Sequence, residues 1–378
     1  MTSFLQGIIG RNGCREKHLQ GSRYEENEME QLAIDGRKIG PGEKTYIVAE
    51  MSANHLQDFH RAVEIVHAAA EAGADALKLQ TYTADTITIE SDKPYFRITG
   101  GTLWDGQTLH GLYEEAYTPW DWQPRLKEEA EKLGMACFSS PFDPTAVEFM
   151  EEMKMPAYKI ASYEITDIPL IRQCARTMKP VILATGVAHK EEIEAAVQAC
   201  REEGNQQILL LKCVSAYPTP YEDVNLRMMP ELGKTYGTLC GLSDHTMGSA
   251  VPVAAVALGA CMVEKHMTLR RSDGGPDGAF SMEPEEFAAM VRDIRCVEKA
   301  LGVSDYHLTP QQEEEHSGVR SLFVVKDVAE GELLTSDNIR SIRPGDGLSP
   351  ARIDEILGKR AAHRLERGEP LREGDFVS

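Results

Sequence analysis

Lysines and hydroxyl groups recur at the ends of short apolar segments along much of the chain. Lys78, Lys159 and Lys212 belong to three separate segments, and serines follow several others. Cations and hydroxyls brought to one place bind a phosphate or a carboxylate well. One such lysine alone is more commonly a solvated surface residue, and a serine after a strand often caps a helix. Three lysines on separate segments favour an anion-binding site.

Two histidines hold similar places on consecutive apolar segments. His245 closely follows one segment, and His266 directly follows the next. Imidazoles with carboxylates nearby are typical ligands of a divalent metal, so the pair favours a metal site over two packed histidines. Glu50 ends another segment and is a candidate proton acceptor or donor. On residue type alone, Glu50 could equally be the buried partner of a lysine.

The segments that carry these residues alternate with amphipathic stretches. Continuous apolar strands between helices indicate a parallel sheet that is covered on both faces. Eight strand–helix units predict a (β/α)8 TIM barrel, with an open doubly wound sheet as the alternative. The active site of a barrel lies at the C-terminal ends of its strands, where these polar side chains should meet. The predicted strands are YIVAE (46–50), ALKLQ (76–80), MACFS (135–139), AYKIA (157–161), PVILA (180–184), QILLLKC (207–213), TLCGL (238–242) and CMVEK (261–265).

Interruptions of this rhythm define the predicted domains. Residues 1–40 are polar and predict a poorly ordered N-terminal extension, and residues 41–302 form the barrel. A polar linker over 303–316 leads to a small domain of short strands and glycine turns over 317–378. The connection between the second and third strands is long and rich in aromatic residues, so it could form a wall of the active site.

Composition excludes several classes of protein. Hydrophobic residues make up 42% of the 378 residues and the formal net charge is −20, which argues against nucleic-acid binding. No segment has the length of a membrane span or the pattern of a signal peptide. The eight cysteines form no CxxC pair, and several lie in apolar segments. We therefore expect a cytoplasmic protein without disulfides.

Several motifs, in order, resemble those of the sialic acid synthase family, and the resemblance runs from about residue 40 to the end. They are IVAEMSANH, DALKLQTYT, CFSSPFD, PAYKIAS, KCVSAYPTP, GLSDHT and VALGACMVEKHMTL. The segment SLFVVKDVAEGELLTSDNIRSIRPGDGL resembles the antifreeze-like (SAF) domain that ends these enzymes. Further features resemble the branch that makes pseudaminic acid. These are SDKPYF, GGTLWDGQTLHGLYEEAYTPW and RSDGGPDGAFSMEPEEF.

The resemblance implies a fold, a reaction and an assembly. The fold would be a TIM barrel followed by a SAF domain, in a domain-swapped homodimer. The reaction would condense phosphoenolpyruvate with 2,4-diacetamido-2,4,6-trideoxy-L-altrose to give pseudaminic acid and phosphate. It would depend on a divalent metal, commonly Mn2+, with Mg2+ or Co2+ able to serve. N-acetylneuraminate and legionaminate synthases share the core motifs but not the aromatic insertion, which is where a different sugar would be recognised.

Roles follow from the positions that match the family motifs. His245 and His266 would hold the metal, Glu50 would be the acid or base, and Arg343 would hold the sugar's N-acetyl group in the neighbouring subunit's site. One departure is Ala184, where relatives typically have serine; we expect one lost hydrogen bond, about 1 kcal/mol, to leave activity in place. Phosphoenolpyruvate would be bound by Lys78, Ser140, Lys159, Ser162, Ser215 and Ser243, and the sugar and metal lined by Gln80, Tyr217, Glu264 and Asp277.

Three alternatives stay open on the sequence. The chain could be an N-acetylneuraminate or legionaminate synthase. It could be a Schiff-base lyase of a keto-acid sugar, with Lys159 or Lys212 as the amine and no metal. It could also be a sugar-binding protein without catalysis, although polar groups at every strand end argue against that.

Overall fold

The computed structural model describes residues 31–99 and 101–377. The residues before 31, which hold most of the predicted extension, lie outside the described residues. The strands are β1 (Leu32–Ile34), β2 (Arg37–Ile39), β3 (Tyr46–Glu50), β4 (Ala76–Thr81), β5 (Ala136–Pro141), β6 (Tyr158–Ile160), β7 (Val181–Ala184), β8 (Ile208–Lys212), β9 (Leu239–Asp244), β10 (Met262–His266), β11 (Ser321–Val324), β12 (Ile339–Ile342), β13 (Arg360–Ala361) and β14 (Phe376–Val377).

Strands β3 to β10 close into a parallel barrel, in which β10 pairs with both β9 and β3. The predicted (β/α)8 barrel is confirmed, and all eight predicted strands form. The helices are α1 (Phe59–Glu71), α2 (Ala84–Ile87), α3 (Leu109–Ala116), α4 (Gln123–Lys132), α5 (Pro144–Glu152), α6 (Ile168–Arg176), α7 (Lys190–Glu202), α8 (Met228–Tyr236), α9 (Ala250–Ala257), α10 (Pro284–Leu301), α11 (Pro310–His316) and α12 (Ile353–Ile356).

Amphipathic helices cover the outside of the barrel. In α1, Ala62, Ile65, Val66 and Ala69 follow the spacing of one helical face, and all are fully buried against the strands. The helix begins where the carboxylate of Asp58 accepts the backbone N–H of the second residue of α1, at 2.8 Å. Because the helices cover the outer face, the strands are apolar throughout except near their C-terminal ends.

Strand register aligns the polar residues at those ends. Glu50 on β3 lies opposite Lys78 on β4 and opposite His266 on β10. Ser243 on β9 lies opposite Glu264 on β10. Residues that are far apart in the chain therefore form one layer at the C-terminal end of the barrel.

A hairpin of β1 and β2 packs against the other end of the barrel. Leu32, Ile34 and Ile39 are buried in one cluster with residues that line the barrel interior, among them Tyr46 at the start of β3. The predicted poorly ordered extension over 1–40 is therefore wrong for its last ten residues. Three apolar residues are too few to predict strands, and the barrel supplies the surface that orders them.

Truncating Ile34 to alanine should lower the free energy of unfolding by about 3 kcal/mol, because the side chain is fully buried and a cavity would remain. Urea-induced unfolding measures the change. Ile89→Ala is the matched control, because Ile89 is 60% exposed, and it should change stability little. A loss below about 1 kcal/mol for Ile34→Ala would show that the hairpin does not contribute to the core.

Before α4, the long connection between β4 and β5 contains α2, α3 and the turn between them. Thr83 and Thr108 cap the two helices by accepting backbone N–H groups with their hydroxyls. The two sides of the turn meet at a bridge between Arg97 and Thr108. The connection is thus an ordered part of the barrel's C-terminal side.

The chain divides into two compact units after Gly302. In the second unit, β11 pairs with β12 and β13 pairs with β14, all antiparallel. Their core includes Leu322, Val324, Ile339 and Leu371. The range 303–316, predicted as a linker, contains the short helix α11. Over the residues that the structure describes, no helix combines the length and apolar character needed to cross a membrane.

Candidate active site

A cluster of four charged side chains lies buried at the C-terminal end of the barrel. Lys78 forms an ion pair with Glu50, and its Nζ atom lies 3.6 Å from Oε1 of Glu264. The same oxygen lies 3.3 Å from Nζ of Lys159 and accepts the Ser243 hydroxyl at 3.0 Å. All four charged side chains are at most 4% exposed. Buried charges of this kind are stable only when paired, so the four groups form one unit.

The two carboxyl groups of the cluster have opposite pKa shifts. Burial raises the pKa of Glu50 to about 7, although Lys78 acts in the other direction. Burial also acts to raise the pKa of Glu264, but Lys159 and Lys78 outweigh it and hold that pKa at about 2. Glu264 is therefore a permanent anion, and Glu50 is the carboxyl group poised to exchange a proton near neutral pH.

Hydrogen bonds hold Glu50 and link it to the loop after β10. Its Oε1 atom accepts the backbone N–H of Ser52 at 2.8 Å and lies 3.5 Å from the amide nitrogen of Gln80. The Ser52 hydroxyl accepts from Gln80 at 3.1 Å and donates to Asp277. Asp277 also accepts the N–H of Ala53, at 3.4 Å. Ser52 is a central residue of the site, although the sequence prediction gave it no role.

Hydroxyl groups lie beside Lys78 and around Gly186, shortly after β7. Lys78 donates to Ser140 at 3.4 Å, and the backbone N–H of Gly186 donates to Ser162 at 3.1 Å. A Cβ atom at Gly186 would lie 2.6 Å from the Ser162 oxygen and 2.5 Å from the Ser215 oxygen, so this position requires glycine. The Ser215 hydroxyl is buried and has no hydrogen-bond partner among the described residues. Around Gly186, the Ser215 hydroxyl is therefore available to a ligand together with that of Ser162.

The two histidines pack edge to face beside this cluster, with ring centroids 5.2 Å apart. His245 Nδ1 lies 2.9 Å from the Val214 carbonyl, which leaves Nε2 free to bind a ligand. Within the described part of the chain, Nδ1 of His266 is buried without a hydrogen-bond partner. Burial lowers the pKa of His266 well below its usual value, so the ring is neutral. Tyr217 packs on His245 with ring centroids 4.4 Å apart.

This pair fits a divalent metal. The His266 ring is neutral, and a ring nitrogen without a hydrogen-bond partner can bind a metal ion through its lone pair. Residues 31–99 and 101–377 contain no group of three or more His, Cys, Asp or Glu residues placed to hold an ion. His245 and His266 would therefore be two protein ligands of an open site, with the other positions left to substrate or water.

Cys213 and Glu164 also border the site, and the sequence analysis assigned neither a role. Cys213 Sγ lies 3.9 Å from Nδ1 of His245, and the attraction of that histidine outweighs burial and holds the thiol pKa at about 7. Burial raises the pKa of Glu164 to about 7, and its Oε2 atom is buried without a partner among the described residues. In the sequence, the one sign of this placement is that Cys213 directly follows Lys212, at the end of β8, and that Glu164 follows Ser162 by two residues.

One predicted residue of the barrel unit, Lys212, lies apart from the cluster, and Arg343 belongs to the second unit. Lys212 turns back to donate to the carbonyl of Cys213 at 2.8 Å and is half-buried. Arg343 is exposed in the second unit, directly after β12. The remaining predicted residues of the barrel unit all lie in or beside the site.

A second buried ion pair supports the loop that carries His245. Lys265 binds Asp244 and donates to the Thr246 carbonyl, and its Nζ atom lies 3.3 Å from the Gly248 carbonyl. Asp244 in turn accepts the Thr246 hydroxyl at 2.9 Å. The pair thus fixes both sides of the loop next to the histidine.

Lys265→Met should lower the free energy of unfolding by about 3–5 kcal/mol, because Asp244 would become an unpaired buried charge. Adding Asp244→Asn should recover part of the loss, since the buried charge is then gone. Urea-induced unfolding of both single variants and the double variant gives the coupling energy. Strict additivity of the two changes would contradict the pairing.

The fold and the site together define a class of protein. A closed barrel presents buried lysines and hydroxyls for an anion, two histidines for a metal, and two carboxyl groups, Glu50 and Glu164, whose pKa burial raises to about 7. This is an enzyme site for an anionic substrate.

Comparison with known proteins identifies the family: the chain belongs to the NeuB family, whose model matches residues 65–306. A SAF domain model matches residues 319–377. The predicted family and SAF domain are confirmed. The pseudaminic acid synthase of Helicobacter pylori is 48% identical over 87% of this chain and 97% of the relative. The pseudaminic acid synthase of Campylobacter jejuni (strain 81-176) is 43% identical over 88% of this chain and 97% of the relative.

A solved structure shows the same fold. The N-acetylneuraminic acid synthetase of Leptospira borgpetersenii serovar Hardjo-bovis superposes with a TM-score of 0.68 and 31% identity. The match covers 76% of this chain and 95% of that chain.

Proposed function

We propose that the chain condenses phosphoenolpyruvate with 2,4-diacetamido-2,4,6-trideoxy-L-altrose and releases pseudaminic acid and phosphate. The observation that carries this proposal is the buried cluster of Glu50, Lys78, Lys159 and Glu264 beside the two histidines. The higher identity to pseudaminic acid synthases than to the N-acetylneuraminic acid synthetase supports the choice of sugar.

The lysines and hydroxyls would bind phosphoenolpyruvate. Lys78 and Lys159 are already held in place by Glu264, so they meet the phosphate and carboxylate without reorganising. The Ser215 hydroxyl is buried without a hydrogen-bond partner among the described residues, and the Ser162 hydroxyl lies on the same side of Gly186. Such a preorganised set also fixes the direction from which the enol carbon approaches the aldehyde.

A divalent metal held by His245 and His266 would polarise the sugar's aldehyde oxygen as a Lewis acid. Among NeuB-family synthases metal dependence is general, and we propose Mn2+ here, with Mg2+ or Co2+ as substitutes. Tyr217 and Phe280 pack around the two histidines and keep bulk water away from them.

Glu50 would act as the base in the second half of the reaction. Attack of the enol carbon on the aldehyde forms the new C–C bond and leaves positive character at C2. Water adds there, its proton passes to Glu50, and phosphate leaves with cleavage of its C–O bond. The neighbours of Glu50 at Ser52, Gln80 and Lys78 all donate hydrogen bonds, which suits a carboxylate that accepts this proton.

Phosphate release from phosphoenolpyruvate tests the proposal, with Mn2+ or EDTA and with the diacetamido sugar or N-acetylmannosamine. We expect release only with metal and the diacetamido sugar. Faster release with N-acetylmannosamine would make the chain an N-acetylneuraminate synthase. Borohydride trapping of substrate on Lys159 or Lys212 without metal would favour the lyase.

We also propose a domain-swapped homodimer in which the second unit of one chain covers the barrel of another. Large apolar side chains are exposed on loops at the C-terminal end of the barrel, as expected of a covered surface. They are Tyr95, Leu103, Tyr163, Val187, Tyr221 and Met247.

Unpaired cysteines throughout the described residues agree with a cytoplasmic enzyme.

Subunit mixing tests the swap. Arg343→Ala and Glu50→Ala chains should each be inactive as homodimers. In a swapped mixed dimer, one site has both an intact Glu50 and the partner's intact arginine, so mixing should restore about a quarter of the sites. If each chain used its own Arg343, mixing would restore no activity.

A further inference from the structure

We propose that the indole face of Trp104 forms a wall of the amino-sugar subsite and sets the preference for a sugar with a methyl group at C6. This inference rests on the proposed function. It assigns sugar selectivity to one residue of the long connection between β4 and β5.

Two contacts attach Trp104 to the active site from outside the barrel strands. Its indole N–H donates to the carbonyl of Pro276 at 3.0 Å. Its ring meets the ring of Tyr217 edge-on, with centroids 5.8 Å apart and planes at 61°. Trp104 is only half-buried, so part of the ring remains available to a ligand.

Both contacts lead directly to groups already placed in the site. Pro276 precedes Asp277, which binds the loop that holds Glu50. Tyr217 packs on His245 with centroids 4.4 Å apart. Because the two ring contacts share Tyr217, the Trp104 ring lies within about 10 Å of the His245 ring. The tryptophan thus borders the site at a distance from the histidines.

A six-carbon chain is long enough to extend from the histidines toward the Trp104 ring, whose centroid is at most about 10 Å from that of His245. With the aldehyde at the histidines, an open-chain six-carbon sugar extends away from them and ends at C6. In the trideoxy sugar C6 is a methyl group, which packs favourably on an aromatic face. A hydroxyl at C6 would lose hydrogen bonds to water against the same face.

Trp120 provides a matched control in the same connection. It also donates its indole N–H to a backbone carbonyl, that of Tyr82, at 3.0 Å. Its ring stacks on Phe149 of α5, with centroids 4.8 Å apart. In the described residues no ring contact joins it to Tyr217 or the histidines, so its role is structural.

The experiment compares kcat/KM for the diacetamido-trideoxy sugar and for 2,4-diacetamido-2,4-dideoxy-L-altrose, which differs from it only by a hydroxyl at C6. Trp104→Ala should raise KM for the trideoxy sugar about tenfold and reduce the ratio of the two kcat/KM values by a similar factor. KM for phosphoenolpyruvate should stay unchanged. Trp104→Phe keeps a ring but loses the N–H, and should retain most of the preference. Trp120→Ala should lower Tm and leave the ratio unchanged.

An unchanged ratio in Trp104→Ala, or an equal loss in Trp104→Phe, would overturn the inference. If the wild-type enzyme prefers N-acetylmannosamine, the proposed substrate is wrong. The contact between Trp104 and the sugar is then tested separately, by measuring the binding of a sugar analogue. The preferred sugar reduced to its alditol cannot condense, so it can be titrated with phosphoenolpyruvate present. A change in indole fluorescence that is lost in Trp104→Phe supports the wall. An equal change in both proteins contradicts it.

Discussion

Glu50→Gln is expected to reduce kcat for phosphate release by about 10²–10⁴-fold, the usual contribution of a general acid–base group. Glutamine has the same size, and its oxygen can still accept the Ser52 N–H. It cannot take a proton from water, and it carries no charge to pair with Lys78. KM for phosphoenolpyruvate should change little, because Lys78 keeps Glu264 as its other partner.

The pH profile separates this role from a structural one. In the wild type, kcat/KM should rise as pH increases through about 7, because burial raises the pKa of Glu50 to about 7 and the base must be ionised. This rise should be missing in Glu50→Gln. Glu298→Gln is the control, because Glu298 accepts the Thr45 N–H at 2.7 Å at the opposite end of the barrel. A rise that persists in Glu50→Gln would assign it to another group.

His266→Gln is expected to weaken Mn2+ binding by more than about 100-fold. Removing a residue that only hydrogen-bonds to a metal ligand already lowers metal affinity by about 10–100-fold, and removing the ligand itself should lower it further. Metal-dependent phosphate release should disappear with it. Calorimetric titration of the metal-free protein with Mn2+ measures the first effect without turnover. The fold should persist, because His266 Nδ1 makes no hydrogen bond among the described residues whose loss would destabilise it.

His60→Gln is the control for this experiment, because His60 is exposed near the start of α1. Its Mn2+ affinity and phosphate release should match those of the wild type. Equal Mn2+ affinity in His266→Gln and wild type would remove His266 from the metal site. The Lewis-acid role would then need other ligands.

The barrel could be predicted because its signals are local. Each strand is a short apolar run bounded by helical periodicity, and a parallel sheet buried on both faces requires that pattern. The hairpin of β1 and β2 was missed, because Leu32, Ile34 and Ile39 become buried only against the closed barrel. Burial that depends on a distant surface leaves no periodic signal in a short segment.

The site was predictable as a set of residues but not as a network. Lys78, Lys159 and the two histidines follow apolar segments, and one end of the barrel collects whatever follows its strands. Which carboxyl group pairs with which lysine depends on distances across the barrel interior. Ser52 and Cys213 were overlooked because serine and cysteine types are common and their contacts with Asp277 and His245 are made across the fold.

The amino-acid order therefore contains the eight strands, the family motifs and the candidate ligands, because each of these depends on neighbours in the chain. Closure of the barrel decides the proton chemistry. It buries Glu50 and Glu264 beside the same lysine, yet raises the pKa of one and lowers that of the other. It also brings Trp104 against Tyr217, more than one hundred positions away in the sequence. Desolvation and charge pairing arise only in the folded interior, so these pKa shifts cannot be read from the order of residues in the chain.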